Sequence, residues 1–404
     1  MHRIKLNSVS RLAGYLLVLL LTFTSAAAQP APEFRGVWIA TVDNIDWPSK
    51  GNFDGNRQKE EFIKLLDFHQ RNGLNAVIVQ IRPCGDALYP SQYEPWSEWL
   101  TGKQGTPPHP YYDPLEFMIT ETHKRKMAFH AWMNPYRAEF NTNNNSTSAT
   151  HITRLHPDWF ITYGDKKYFD PGRPEVQNYV TAIVQDVVNR YAIDAIHFDD
   201  YFYPYTIDEQ PPFNDKNSFR QYGNGLSLDN WRRSNTDSII VKISRAIHAI
   251  NPKCKFGISP FGVWRNKNQD PDGSNTRGAL SNYDDLYADI LKWLRNDWID
   301  YVAPQLYWEF GHRRAAYEVL LEWWSRHTYG KHCYIGLGPY KANSNAAWSS
   351  EKQLPRQIEE LRNTPNIQGM IFFSSSSLEK NLNGWADILR LKYFREPASV
   401  PEFR

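Results

Sequence analysis

The sequence predicts a single-domain α/β fold, a (β/α)8 TIM barrel, on three observations. Eight short apolar runs alternate along the chain with segments of helical period. The runs are almost continuously apolar, as strands of a parallel sheet covered on both faces must be. Polar residues gather where the runs end, and in such barrels the C-terminal ends of the strands carry the site.

The eight runs are "FRGVWIATV" (34–42), "LNAVIVQIRP" (74–83), "KMAFHAWMNP" (126–135), "AIDAIHFDDYFYP" (192–204), "CKFGISPFG" (254–262), "DYVAPQLYWEF" (300–310), "HCYIGLGPY" (332–340) and "IQGMIFFSSSS" (367–377). Between them "RQKEEFIKLLDFHQRNG", "PEVQNYVTAIVQDVVNRYA" and "NTDSIIVKISRAIHAINP" repeat apolar residues at helical spacing and stop at Gly, Ala or Pro. A doubly wound open sheet would answer to the same alternation. The chain lacks the Gly-rich phosphate loop after its first strand that such a sheet commonly carries. "NTNNNSTSAT" (141–150) is the one low-complexity stretch and reads as a loop.

The N-terminus reads as an address. His2, Arg3, Lys5 and Arg11 precede the apolar run "LAGYLLVLLLTF", and "SAAAQ" places small residues for cleavage after Ala28. The expected organisation is a signal peptide over 1–28, the barrel over 29–395 and a C-terminal tail over 396–404, exported to the periplasm or the medium. No Cys near the junction supports a lipid anchor. No later run approaches the roughly 20 apolar residues of a membrane span, so no integral membrane segment is expected in the mature chain.

Composition narrows the partners. The 404 residues include 46 basic and 44 acidic side chains, interspersed, for a formal charge of +2, and no basic face suggests nucleic acid. The three cysteines, Cys84, Cys254 and Cys333, are odd in number and widely spaced, which argues for buried thiols rather than a disulfide framework or a metal site. Aromatics are abundant, with 15 Trp, 23 Tyr and 21 Phe, many beside Pro, Asn or Asp in loops. Most belong to the core; the rest offer flat apolar faces on which sugar rings could stack.

Side chains alternate across a strand, so the site can be read by parity. On the fourth run Ile196 and Phe198 should face the helices, which turns His197 and Asp199 into the barrel mouth. Asp200 lies at the strand end, where its direction depends on how the chain turns. The same rule puts Gln80 and Arg82 inward on the second run, His130, Trp132 and Asn134 on the third, and Gln305, Tyr307 and Glu309 on the sixth, with Trp308 flanking Tyr307. Singly, an inward His or Gln more often completes a buried hydrogen-bond network. Together, so many polar groups at one rim are costly to bury without a functional reason.

The strings "FRGVWIATV", "VQIRPCGDALYPSQYEPWSEWLTG", "HAWMNPYR", "HPDWF", "YFDPGRPEVQNYV", "IHFDDYFYP" and "APQLYWEF" together resemble the glycosyl-hydrolase-like family ten, over roughly residues 33–395. The resemblance implies an exported bacterial TIM-barrel glycosidase acting, in its characterised members, on peptidoglycan glycan strands stripped of their stem peptides. Another polysaccharide, or a catalytically silent glycan-binding barrel, are the alternatives.

Glycosidases need one carboxyl as acid on the leaving oxygen and a second as nucleophile or base. Asp199 is the first candidate, with His197 and Arg82 expected nearby to hold it ionised. Glu309, among Tyr307, Trp308 and Phe310, is favoured as the acid over Asp200 and Asp86. Arg82, His130, Trp132, Asn134, His197, Gln305, Tyr307 and Trp308 are the expected substrate contacts. "DAIHFDDYFYP" also resembles the chitinase signature, but His197 replaces its middle Asp and Tyr201 its Glu donor, so that mechanism does not transfer intact. The adjacent acids could still orient a substrate acetamido group as internal nucleophile. No cofactor is called for. A metal set from His130, His197 and Asp199 is chemically conceivable, but no HxH follows the first strand and no HExxH occurs.

Overall fold

A computed structural model describes residues 31–143 and 147–403. The expected signal peptide, residues 144–146 of the polar loop and Arg404 lie outside the described residues. Eleven strands follow in order: β1 (Phe34–Ile39), β2 (Ala76–Arg82), β3 (Ala128–Met133), β4 (Arg137–Glu139), β5 (Phe160–Tyr163), β6 (Lys166–Phe169), β7 (Ala195–Phe198), β8 (Lys255–Ile258), β9 (Tyr301–Val302), β10 (His332–Leu337) and β11 (Gly369–Phe372). Eight of them close into a parallel barrel in the order β1-β11-β10-β9-β8-β7-β3-β2. The chain is a (β/α)8 barrel, and each of the eight apolar runs contains one barrel strand.

The helices form where their periodicity and caps place them. The first, Gly55–Arg71, is capped by the Asp54 carboxylate, which accepts from the backbone N–H of Asn56 and Arg57. Pro114 and Pro174 open two more at the first helical position, where a missing N–H costs nothing. Val37, Val79, Phe129, Ile196, Phe198 and Ile258 face outward and join the helix faces in the main core. A second apolar cluster, including Phe34, Trp38, Ile78, Trp132, Tyr301, Tyr334 and Ile371, fills the barrel interior.

Three features depart from the sequence expectation. The strands are shorter than the runs: within 192–204 only Ala195–Phe198 is strand, and within 300–310 only Tyr301–Val302. The polar and aromatic residues beyond those points leave the ladder and turn out to build the mouth. An antiparallel sheet, ordered β4-β6-β5, is also inserted between β3 and its helix. The segment expected as a tail is packed instead. Ser399 accepts from the Glu33 N–H and Ala398 from the Asn75 amide, and Phe403 stacks on His332 with ring centroids 4.2 Å apart. Val400 and Phe403 thereby cover the barrel interior from its N-terminal end. The three cysteines are buried free thiols.

Candidate active site

β1, β2 and β3, together with the segments that follow the other five barrel strands, line a cleft of about 540 Å³ at the C-terminal ends of the strands. Asp199 and Asp200 both line it. They can share one cavity because β7 ends at Phe198: the chain turns immediately, and the Asp199 carboxylate accepts from the Tyr201 N–H at 3.3 Å, an Asx-type turn that frees the second carboxyl from strand alternation.

Asp199 is held by an array of donors. Trp132 Nε1 donates to its Oδ2 at 3.0 Å, and Asn134 Nδ2 donates to both oxygens, at 3.0 and 3.2 Å. Burial raises this carboxyl above the ordinary aspartate range, while the Arg137 charge and these donors pull it back towards ionisation. Asn134 itself is fixed, its Oδ1 accepting from the Tyr136 and Arg137 N–H groups. Asp200 has thinner support. Tyr205 donates its hydroxyl to Oδ2, the Gln305 amide helps, and burial together with the neighbouring Asp199 charge pushes Asp200 up to about 7. Two adjacent acids thus sit in environments that separate them, Asp199 the more readily charged and Asp200 the readier to carry a proton near neutrality.

Of the expected contacts, Trp132, Gln305, Tyr307 and Trp308 line the cleft with the pair. The others lie behind it. A register shift between Gln80 and Arg82 displaces Arg82 from the parity pattern. Its guanidinium instead grips the buried Glu94 through two nitrogens and donates to the Asn134 and Pro135 carbonyls. It therefore supports Asp199 only through Asn134. His197 makes no bond to Asp199: Nδ1 meets the Tyr301 hydroxyl at 2.8 Å, and Nε2 accepts from Trp38 Nε1 at 3.3 Å and meets Ser259 Oγ at 3.0 Å. His130 Nδ1 meets the same Tyr301 hydroxyl at 2.8 Å. Burial holds both imidazoles well below their ordinary range, so they form a neutral network beneath the cleft floor. Gly257 makes the room for it, because a Cβ there would stand 1.9 Å from the Tyr301 ring.

Two acid candidates also stand apart from the pair. Asp86 is buried against the Cys84 N–H and Gln104 Nε2, with burial raising it to about 7, and it does not line the cleft. Glu309 turns to the loop after β10, accepting from Trp348 Nε1 at 3.1 Å and Asn345 Nδ2 at 3.5 Å. Glu309 would share the inward face of Tyr307 only on a continuous strand, and β9 stops at Val302.

Reading by parity missed Arg137, Phe140, Tyr205, Tyr340, Lys341 and Phe373, all of which line the cleft. Tyr340 and Phe373 fall within the apolar runs but beyond the ends of β10 and β11, and the other four lie one to five residues past the ends of their runs, so strand alternation gave none of them a direction. Among the described residues no group of three or more His, Cys, Asp or Glu side chains is gathered as a metal-binding set, and no helix is long and apolar enough to cross a membrane.

A closed parallel barrel with a carboxylate pair and an aromatic cleft at its C-terminal face is an architecture that serves sugar hydrolysis. Residues 33–353 match the family described as "Glycosyl hydrolase-like 10", and the chain belongs to that family. Glycosyl hydrolase YngK of Bacillus subtilis is 49% identical over 384 residues, covering 93% of this chain and 75% of the relative. Glycosyl hydrolase DigH of Escherichia coli K12 is 41% identical over 384 residues, covering 88% and 85%. Among solved structures, the PgaB (BpsB) glycoside hydrolase domain of Bordetella bronchiseptica aligns with a TM-score of 0.53 at 16% identity, covering 89% of this chain and 98% of that one. At that identity the likeness concerns the fold.

Proposed function

We propose that this protein is an exported glycoside hydrolase that cleaves peptidoglycan glycan strands lacking stem peptides, with Asp199 and Asp200 as its catalytic carboxylates. The observation that carries the reading is the pair itself: two acids in one cleft, one surrounded by donors to its charged form, the other raised to about 7 by burial and its neighbour. Asp200 protonates the leaving glycosidic oxygen. Asp199 supplies the negative charge that the developing oxocarbenium-like carbon requires, and water completes the hydrolysis, its hydroxyl ending on that carbon and its proton restoring the acid. Trp132, Asn134 and Arg137 hold that charge in place, so it need not reorganise during the reaction. The cleft's aromatic walls, with Trp308, Tyr307, Tyr340 and Phe261 among them, suit the apolar faces of successive pyranoses. Membership of the glycosyl-hydrolase-like family and the glycosyl hydrolase names of its relatives support the reaction class. The N-terminal sequence supports export to the compartment where such strands lie.

The test is turnover of peptide-free glycan strands by wild type and Asp199→Asn, with products identified by mass spectrometry. Asp199→Asn should lose about three orders of magnitude in kcat while still binding strands. Strand binding without turnover by the wild-type protein would make it a silent glycan-binding barrel.

A further inference from the structure

Two cations line the cleft among the described residues, Arg137 and Lys341, and their surroundings separate them. Arg137 is buried; Nε donates to the Pro83 carbonyl at 3.1 Å, and its charge acts on Asp199. Lys341 is on the far side of the mouth, since β10, which leads into it, is four places round the ring from β3, which leads into Arg137. Its ammonium lies 5.5 Å from the centroid of the Tyr340 ring, and no carboxylate among the described residues pairs with it.

The ground around Lys341 is shaped. Tyr340, 43% exposed, stands perpendicular to Tyr307 with centroids 5.5 Å apart, and Phe373 meets Tyr340 at 5.9 Å and Tyr307 at 6.1 Å. Three rings thus frame one patch of the cleft with an ammonium at its edge. The backbone beneath is fixed: the Lys341 N–H donates to the Gly338 carbonyl at 3.0 Å, and Glu309 ties down Trp348 and Asn345 of the same loop. A neutral sugar gains little from an ammonium that a neutral donor would not give, whereas a carboxylate gains a charge-assisted bond.

We propose that Lys341, with Tyr307, Tyr340 and Phe373, forms a subsite for a carboxylate-bearing pyranose away from the acid pair. This rests on the glycan-strand reading above and deepens it. On a muramyl sugar the carboxylate is the lactyl group, which an attached stem peptide converts to a neutral amide, so Lys341 would read the removal of the peptide as the appearance of a charge. On a uronic acid the same chemistry is offered by the C6 carboxyl.

The experiment compares kcat/KM of wild type, Lys341→Gln and Lys341→Arg on four substrates of matched length: peptide-free muramyl strands, the same strands with their lactyl groups converted to methylamides, chitin oligomers and uronate-containing oligomers. Substrate ratios within each variant cancel any loss of folded enzyme. Wild type should prefer free over amidated strands by about tenfold, mainly through KM, with Lys341→Gln reducing the ratio to about twofold and Lys341→Arg restoring most of it. A Lys341-dependent preference confined to the uronate oligomers would assign the subsite to that carboxylate. Equal cleavage of free and amidated strands by wild type with no Lys341-dependent preference for the uronate oligomers, or an undiminished preference in Lys341→Gln, overturns the subsite and leaves the glycosidase reading intact. Failure of wild type to cleave any of the four overturns both.

Discussion

Tyr205 donates its hydroxyl proton to Asp200 Oδ2, so the more protonated acid of the pair is set against a donor that favours its charged form. Burial prevails and leaves Asp200 at about 7. Removing the donor should raise it further. In Tyr205→Phe the basic limb of the kcat/KM profile should therefore move to higher pH by about half a unit to one unit. Profiles of the two proteins on one substrate measure this, and a limb moving to lower pH would show that Tyr205 does not act through the Asp200 charge.

The same raised acid affects folding. Its folded value lies above the ordinary aspartate value of 3.8, so its contribution to stability is full below about pH 4 and is lost as pH rises through about 7. Asp200→Asn escapes that loss. Its stability relative to wild type should be higher at pH 8 than at pH 4, by at most about 4 kcal/mol for a shift of this size, and its melting temperature should follow. Asp86 titrates in the same range but is present in both proteins and cancels. Thermal melts at the two pH values decide the point.

Trp132 joins the barrel-interior cluster and donates to Asp199 from a side chain only 7% exposed. Trp132→Phe keeps a ring and removes the N–H. The expected result is a fall in kcat of about ten- to a hundredfold with a smaller change in KM, the pattern of a lost interaction with the reacting charge. A change in KM alone would make Trp132 a sugar platform instead.

Glu309 faces the loop that presents Tyr340 and Lys341 rather than the acid pair. Glu309→Gln keeps an acceptor for Trp348 Nε1. It should retain its basic limb and at least about a third of wild-type kcat on strands, because surface and loop substitutions of this kind shift energies by tenths of a kcal/mol. Loss of the limb would return the acid role to Glu309.

The barrel was legible because its signal is redundant: eight apolar runs, each separated from the next by helical period, admit few alternatives. The placement of Asp199 in the cleft was legible for a local reason, since β7 alternates cleanly through His197 and its outward neighbours Ile196 and Phe198 pack in the outer core. Parity failed wherever the ladder stopped. Arg82 lies past a register shift and Glu309 lies seven residues beyond the end of β9, so neither inherits the direction of its strand. Asp200 was undecidable from the sequence because its direction is set by the turn at Asp199. His197 was placed correctly inside the barrel but given the wrong partner, since the Tyr301 hydroxyl that engages it comes from a strand 104 residues away.

The division of labour between the two acids is the central claim, and the Asp200→Asn rate on two substrates tests it most directly. On peptide-free strands kcat should fall by about a thousandfold and the basic limb should vanish. On a glycoside with a highly acidic leaving group, which departs without protonation, the variant should keep at least about a tenth of wild-type kcat. An Asp200→Asn enzyme that turns over strands at more than about a tenth of the wild-type rate, or that loses both substrates equally, would contradict Asp200 as the proton donor.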